Sequence, residues 1–173
     1  MEPIYTFMLI VMAVLAITGL FIGVMNDAAN FLNSAIGSRA ASMRMILLVA
    51  SVGILVGVVT SSGMMEVARN GMFNPGLFTF HEVMMLYLGV MFANIILLDL
   101  YNSWGLPTST TVSLVFCLLG AAIAVTVYKI TGSADAGHEM GEYINTSRAL
   151  GIVSAILLSV VIAFTCGTAV MYV

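Results

Sequence analysis

Long apolar runs alternate with short polar segments along the chain, and this pattern predicts helices that cross a membrane. A helix needs about 20 residues to span the hydrocarbon core of a bilayer. Stretches that reach or approach this length lie at roughly 4–25, 45–65, 83–101, 108–128 and 149–173. We therefore expect an all-α integral membrane protein with about five transmembrane helices, some of them broken or half-helices. They would form a single transmembrane domain over 1–173, with a polar loop at about 129–148.

Composition agrees with this prediction and excludes several classes of function. The chain is 61% hydrophobic and 8% charged, whereas soluble domains carry roughly 25% charged residues. The net charge of −3 rests on few groups, and no basic patch is present to neutralise a nucleic-acid backbone, so we expect no nucleic-acid partner. The sequence contains no nucleophile–base pair, nucleotide-binding loop or zinc motif. We therefore expect neither an enzyme nor a resident cofactor.

Two short polar segments interrupt the apolar sequence, and we call them polar islands. The first, residues 26–38, follows the first apolar run. On a helix, Asp27, Asn30, Ser34 and Ser38 follow at i, i+3, i+7 and i+11, and Asn26 precedes Asn30 by four residues, so these side chains share a stripe. An ionised aspartate in hydrocarbon costs roughly 2.5–3.5 kcal/mol even on the gentler insertion scale. Carboxylate and amide oxygens suit a small hard cation. The stripe predicts a cation site, with Na+ at Asp27, Asn26 and Asn30; the alternative is hydrogen bonding between helices.

The second island is "GLPTSTTVS", residues 105–113. Pro107 suits a position at or just before a helix start. The free N–H groups and hydroxyls of Ser109, Thr110 and Thr111 would then point beyond the helix, where its dipole favours an anion. The alternative is a plain N-cap.

Together the two islands favour a secondary transporter, in which a helix N-terminus meets an anion while oxygen ligands hold a driving cation. Two other classes remain open. One is a channel or pore subunit, in which the polar stripe lines water. The other is a membrane assembly module that transports nothing.

Three segments resemble the inorganic phosphate transporter (PiT) family. They are "NDAAN" at 26–30 with "SAIGSRA" at 34–40, "GMMEVARNG" at 63–71, and "GLPTSTTVS" at 105–113, in the family's order. The resemblance implies symport of inorganic phosphate with Na+ or H+. It implies that Asp27 and its asparagines form the cation and phosphate site, and that Ser109, Thr110 and Thr111 contact phosphate. It also associates Glu66 with transport, and we add Ser34 and Ser38 from the first motif.

The chain departs from the family pattern in three ways. Val112 stands where the family usually has histidine, which favours Na+ over H+, and Gly23 lies one residue farther from the Asn-Asp pair than usual. Family members resemble an inverted duplication, but each motif occurs once here. We therefore expect one half of a transporter, the N-terminal repeat. A polar stripe facing lipid is unfavourable, so we expect a second repeat or a homodimer partner.

The distribution of basic residues predicts the orientation. The short first loop holds Arg39 and Arg44, and the positive-inside rule then places this loop in the cytoplasm and the N-terminus outside. The first apolar run follows Glu2 rather than basic residues, so we expect a retained helix rather than a signal peptide. The expected location is the plasma or inner membrane of the cell.

Overall fold

The computed structural model of the chain describes residues 3–60, 72–132 and 139–172, and these residues are almost entirely helical. The helices are α1 (Pro3–Gly37), α2 (Met43–Thr60), α3 (Phe80–Trp104), α4 (Thr110–Thr131), α5 (Met140–Tyr143) and α6 (Thr146–Tyr172), with a 3₁₀ turn at Pro75–Leu77. All but α5 and the 3₁₀ turn are long and apolar enough to cross a membrane. The predicted all-α membrane fold with five spanning helices is confirmed.

The helix bounds differ from the predicted ones mainly at α1. This helix has 35 residues and is about 52 Å long at 1.5 Å per residue, whereas the hydrocarbon core is about 30 Å thick. The polar stripe lies on the C-terminal part of α1, beyond the apolar run predicted at 4–25. It is helical to Gly37, as the spacing predicts, and α1 runs through the motif without a break. The helical structure is interrupted instead at the second polar motif, between the end of α3 at Trp104 and the start of α4 at Thr110.

The polar loop predicted at about 129–148 lies between the end of α4 and the start of α6. The last turn of α4 continues to Thr131, the short helix α5 lies within the stretch, and α6 begins at Thr146. The polar composition of this region predicts a loop, and the first and last few residues of the region belong to α4 and α6.

Three helices, α1, α3 and α4, form the packed part of the bundle. Near the start of the two parallel helices α1 and α3, the ring of Tyr5 lies 5.4 Å from that of Phe80. Farther along, a Cβ on Gly19 would lie 3.5 Å from Ile95, so the absent side chain lets α1 approach α3 closely. The buried cluster joins α3 and α4 to the segments at 72–78 and 143–149; its members are Met72, Phe73, Phe78, Leu86, Val90, Val115, Leu118, Ala122, Tyr143, Ile144 and Ala149.

The end of the bundle where α3 begins is held together by a buried cation. Lys129, in the last turn of α4, donates to the carbonyl of Leu77 at 2.8 Å and lies 3.2 Å from the carboxylate of Glu82. Its Nζ also lies 5.5 Å and 5.4 Å from the ring centres of Phe78 and Tyr143. Lys129 thus links α4, the start of α3 and the α5 segment.

The helices α2 and α6 contribute little to this core. Ile46 is the only buried residue of α2, and Ala149 the only one of α6. The remaining apolar surface of both helices is available to lipid or to another protein.

Candidate functional site

The second polar island forms a sharp turn between α3 and α4. Gly105 ends α3 with φ +66°, in the left-handed region that favours glycine. Its N–H and that of Leu106 donate to the last carbonyls of α3. At the other end, the hydroxyl of Ser109 accepts from the N–H of Val112 at 3.3 Å, which makes Ser109 the N-cap of α4. The Ser109 hydroxyl therefore acts as an acceptor in the cap of α4, and its own O–H can still donate.

The start of α4 meets α1 at Asp27. The hydroxyl of Thr110 donates to the Asp27 carboxylate, at 3.0 Å from Oδ1 and 3.3 Å from Oδ2. One turn earlier on α1, a Cβ on Gly23 would lie 3.8 Å from the Thr110 methyl group, so glycine leaves room for this contact. The positive end of the α4 dipole favours the negative charge of the carboxylate.

Two asparagines of α1 bind the middle of the turn. The amide nitrogens of Asn26 and Asn30 donate to the same carbonyl, that of Thr108, at 2.9 Å and 2.6 Å. Asn26 is almost fully buried, at 2% exposure. A buried amide is costly without hydrogen-bond partners, so this contact makes an otherwise unfavourable residue compatible with the bundle.

A cavity of about 540 Å³ lies between the two islands. Its walls are formed by Asp27, Asn30, Phe31, Pro107, Thr108, Ser109, Thr110 and Thr111. The N–H groups of Thr110 and Thr111 belong to the first turn of α4, where a helix supplies no internal acceptor. The cavity therefore combines a carboxylate, amide groups, hydroxyls and a helix N-terminus.

The predicted site residues do not all meet in this cavity. Asp27, Asn30, Ser109, Thr110 and Thr111 line it, and Asn26 lies behind the turn. Ser34 and Ser38 lie farther along, at the end of α1 and just after it, where both are exposed. They are absent from the cavity wall as the described residues form it. Glu66 lies outside the described residues.

Sequence reasoning missed two features of this region. It did not identify the Thr108 carbonyl as the acceptor for both asparagines, since a backbone group carries no signal in the sequence. It also did not pair Asn94 with Ser113, although the serine hydroxyl donates to the Asn94 amide oxygen at 2.7 Å, one turn beyond Thr110. The only available signal was an amide within an apolar helix.

The donors at the junction are oxygen and amide groups. Over the described parts of the chain, no three His, Cys, Asp or Glu side chains come together in a group that would hold a metal ion. Among the described residues that line the cavity, Asp27 is the one carboxylate, and the other oxygens belong to amide, hydroxyl and carbonyl groups.

A comparison with known proteins identifies the family of the chain. The profile of the phosphate transporter family matches residues 22–173, a range that includes both polar islands. Neither a curated protein nor a solved structure gave a significant match. Because the matched range covers most of the chain, the chain belongs to the phosphate transporter family.

Proposed function

We propose that this chain carries inorganic phosphate across the membrane together with a cation, Na+ or H+, and that Asp27 and the start of α4 form the coupled site. The observation that carries this proposal is the contact of the Thr110 hydroxyl with the Asp27 carboxylate, 83 positions apart in the chain. It joins a group that suits a cation to a helix N-terminus that suits an anion.

The charges at this junction supply a mechanism for coupling. Phosphate carries one to two negative charges and would meet the like charge of Asp27, which already holds the Thr110 hydroxyl. A cation bound by Asp27, with the amide oxygens of Asn26 and Asn30 as further ligands, offsets that charge. The Thr110 hydroxyl and the first N–H groups of α4 then become available to phosphate. Cation and phosphate should each strengthen the binding of the other.

Val112 supports Na+ as the coupling ion. It occupies the first turn of α4 and its N–H is already taken by the Ser109 cap. A valine side chain neither binds nor releases a proton, so the turn offers no titrating group beside the Thr110–Asp27 pair.

We further propose that the chain is one repeat of a transporter and that a second repeat, or a second copy, covers the cavity. Asn30 and Thr111 are exposed on its wall, and α2 and α6 present apolar surface that the described residues leave uncovered. With the proposed outside N-terminus in the plasma or inner membrane, the Asp27 end of the bundle would face the cytoplasm.

Molar mass and uptake, measured on one preparation, test these proposals. The purified chain should be a dimer in mild detergent, and after reconstitution an inward Na+ gradient should drive uptake of labelled phosphate while an equal K+ gradient should not. A monomer that binds phosphate tightly would contradict the need for a partner. Uptake that is equal in both gradients and does not saturate would indicate a pore instead.

A further inference from the structure

The turn between α3 and α4 is attached to successive turns of α1, at one backbone carbonyl and three side chains. The Asn102 amide, near the end of α3, lies 3.5 Å from the carbonyl of Ile22. The amides of Asn26 and Asn30 bind the Thr108 carbonyl, and Asp27 binds Thr110. α1 therefore contacts the end of α3, the middle of the turn and the start of α4 in order.

The middle of the turn has little support of its own. Pro107 has no N–H to donate, and the hydrogen bonds of Gly105 and Leu106 go back to α3. The cap formed by Ser109 belongs to α4. Between these two ends, the contacts that hold the Thr108 carbonyl are the two asparagine amides.

The geometry of the two amides suits one shared acceptor. Residues four apart lie on the same helix face, and a carbonyl oxygen has two lone pairs. Asn26 and Asn30 satisfy both lone pairs, at 2.9 Å and 2.6 Å. An aspartate or leucine at either position would supply no amide N–H, so the cation-ligand role alone does not account for the choice of asparagine.

We infer that Asn26 and Asn30 are positioning residues, whose amide nitrogens fix the turn at 105–109 against α1 and thereby set the start of α4 beside Asp27. This inference rests on the proposed function for its effect on phosphate, since the positioned group is the proposed anion site. It assigns the amide nitrogens to the turn and leaves the amide oxygens for the cation.

The test replaces the amides by leucine, which has a similar size and no donor. The variants are Asn26→Leu, Asn30→Leu and the double variant, and Asn33→Leu is the matched control because Asn33 is an exposed asparagine on the same helix outside the cavity wall. Two quantities are measured: amide hydrogen exchange of the peptide covering 105–111, without Na+ or phosphate, and the affinity for inorganic phosphate in NaCl.

We expect exchange in 105–111 to rise at least about tenfold in the double variant, to rise less in each single variant, and to stay unchanged in Asn33→Leu. Phosphate affinity should fall by about tenfold or more in the same order. Unchanged exchange in the double variant would overturn the inference, and so would faster exchange with unchanged phosphate affinity. A wild-type chain that binds no phosphate would overturn the proposed function, whereas the exchange result would still decide whether the amides hold the turn.

Discussion

Three adjacent hydroxyl residues at the start of α4 have different environments. The Ser109 hydroxyl caps the helix, the Thr110 hydroxyl binds Asp27, and Thr111 is an exposed residue of the cavity wall. A hydrogen bond to a charged group contributes roughly 1.5–3 kcal/mol, so Thr110 is the member of the triplet whose loss should affect the coupled site most directly.

Replacing Thr110 by valine removes this hydroxyl with little change in shape. We expect Thr110→Val to raise the phosphate concentration for half-maximal uptake by about tenfold, because both Asp27 and the bound anion lose a donor. Thr126→Val is the control: Thr126 is fully buried on the same helix, and its hydroxyl donates to the carbonyl of Ala122. Uptake kinetics should be unchanged in the control. Equal effects of the two substitutions would show that the hydroxyl at Thr110 has no special role.

The residues of the site could be predicted from the sequence better than their contacts. Polarity within an apolar chain identified Asp27, Asn30 and the 109–111 triplet, and all of them line one cavity. The sequence could not show that Thr110 rather than Ser109 meets Asp27, because this depends on the residue at which α4 begins. Nor could it show that two asparagines share the Thr108 carbonyl, which is a backbone group.

The length of α1 relative to its neighbours determines where the polar island lies. α3 ends at Trp104 and α4 begins at Thr110, so the turn lies at the end of the bundle beside Asp27. By length, Asp27 comes about 36 Å after Pro3, more than the roughly 30 Å of a hydrocarbon core. The polar stripe and its position after the first apolar run were predictable from the sequence. The continuation of α1 through the stripe to Gly37 was not, since apolar runs define a helix's membrane segment rather than its full length.

The opposite end of the bundle depends on Lys129, which is buried between Glu82, a carbonyl and two aromatic rings. Lys129→Met keeps the apolar stem and removes the charge, leaving Glu82 without its cation. We expect a loss of about 3 kcal/mol in unfolding free energy, at the lower end for a broken buried ion pair because the Glu82 side chain is one-quarter exposed. Arg148→Met, at an exposed cation, is the control.

Thermal unfolding in detergent measures the stability of both variants. The midpoint temperature of unfolding should fall in Lys129→Met and stay unchanged in Arg148→Met. The folded fraction of Lys129→Met should bind phosphate normally, because Lys129 and Asp27 lie at opposite ends of the bundle. Equal midpoints for Lys129→Met and the wild-type chain would contradict the role given to Lys129.

At the scale of the whole molecule, the packed part is smaller than the apolar part. The buried core lies between α3, α4 and the segments at 72–78 and 143–149, and α1 packs on α3 beside it, whereas nearly all of α2 and α6 is exposed. The fold class could be predicted from the lengths of the apolar runs, because the thickness of the bilayer sets these lengths. The sequence could not show which helices pack together, because a membrane-spanning helix is apolar on every side, whether that side faces lipid or protein.

The most direct test of the coupled site is equilibrium binding of labelled phosphate to the purified chain in NaCl and in KCl at one pH. We expect Na+ to raise phosphate affinity by about tenfold, within the usual range of coupling between two sites, and Asp27→Asn to abolish this increase. Asp99→Asn, the same change at an exposed carboxylate on α3, should retain it. Equal affinity in the two salts, or a sodium effect that survives in Asp27→Asn, would contradict a cation and phosphate site built on Asp27 and the start of α4.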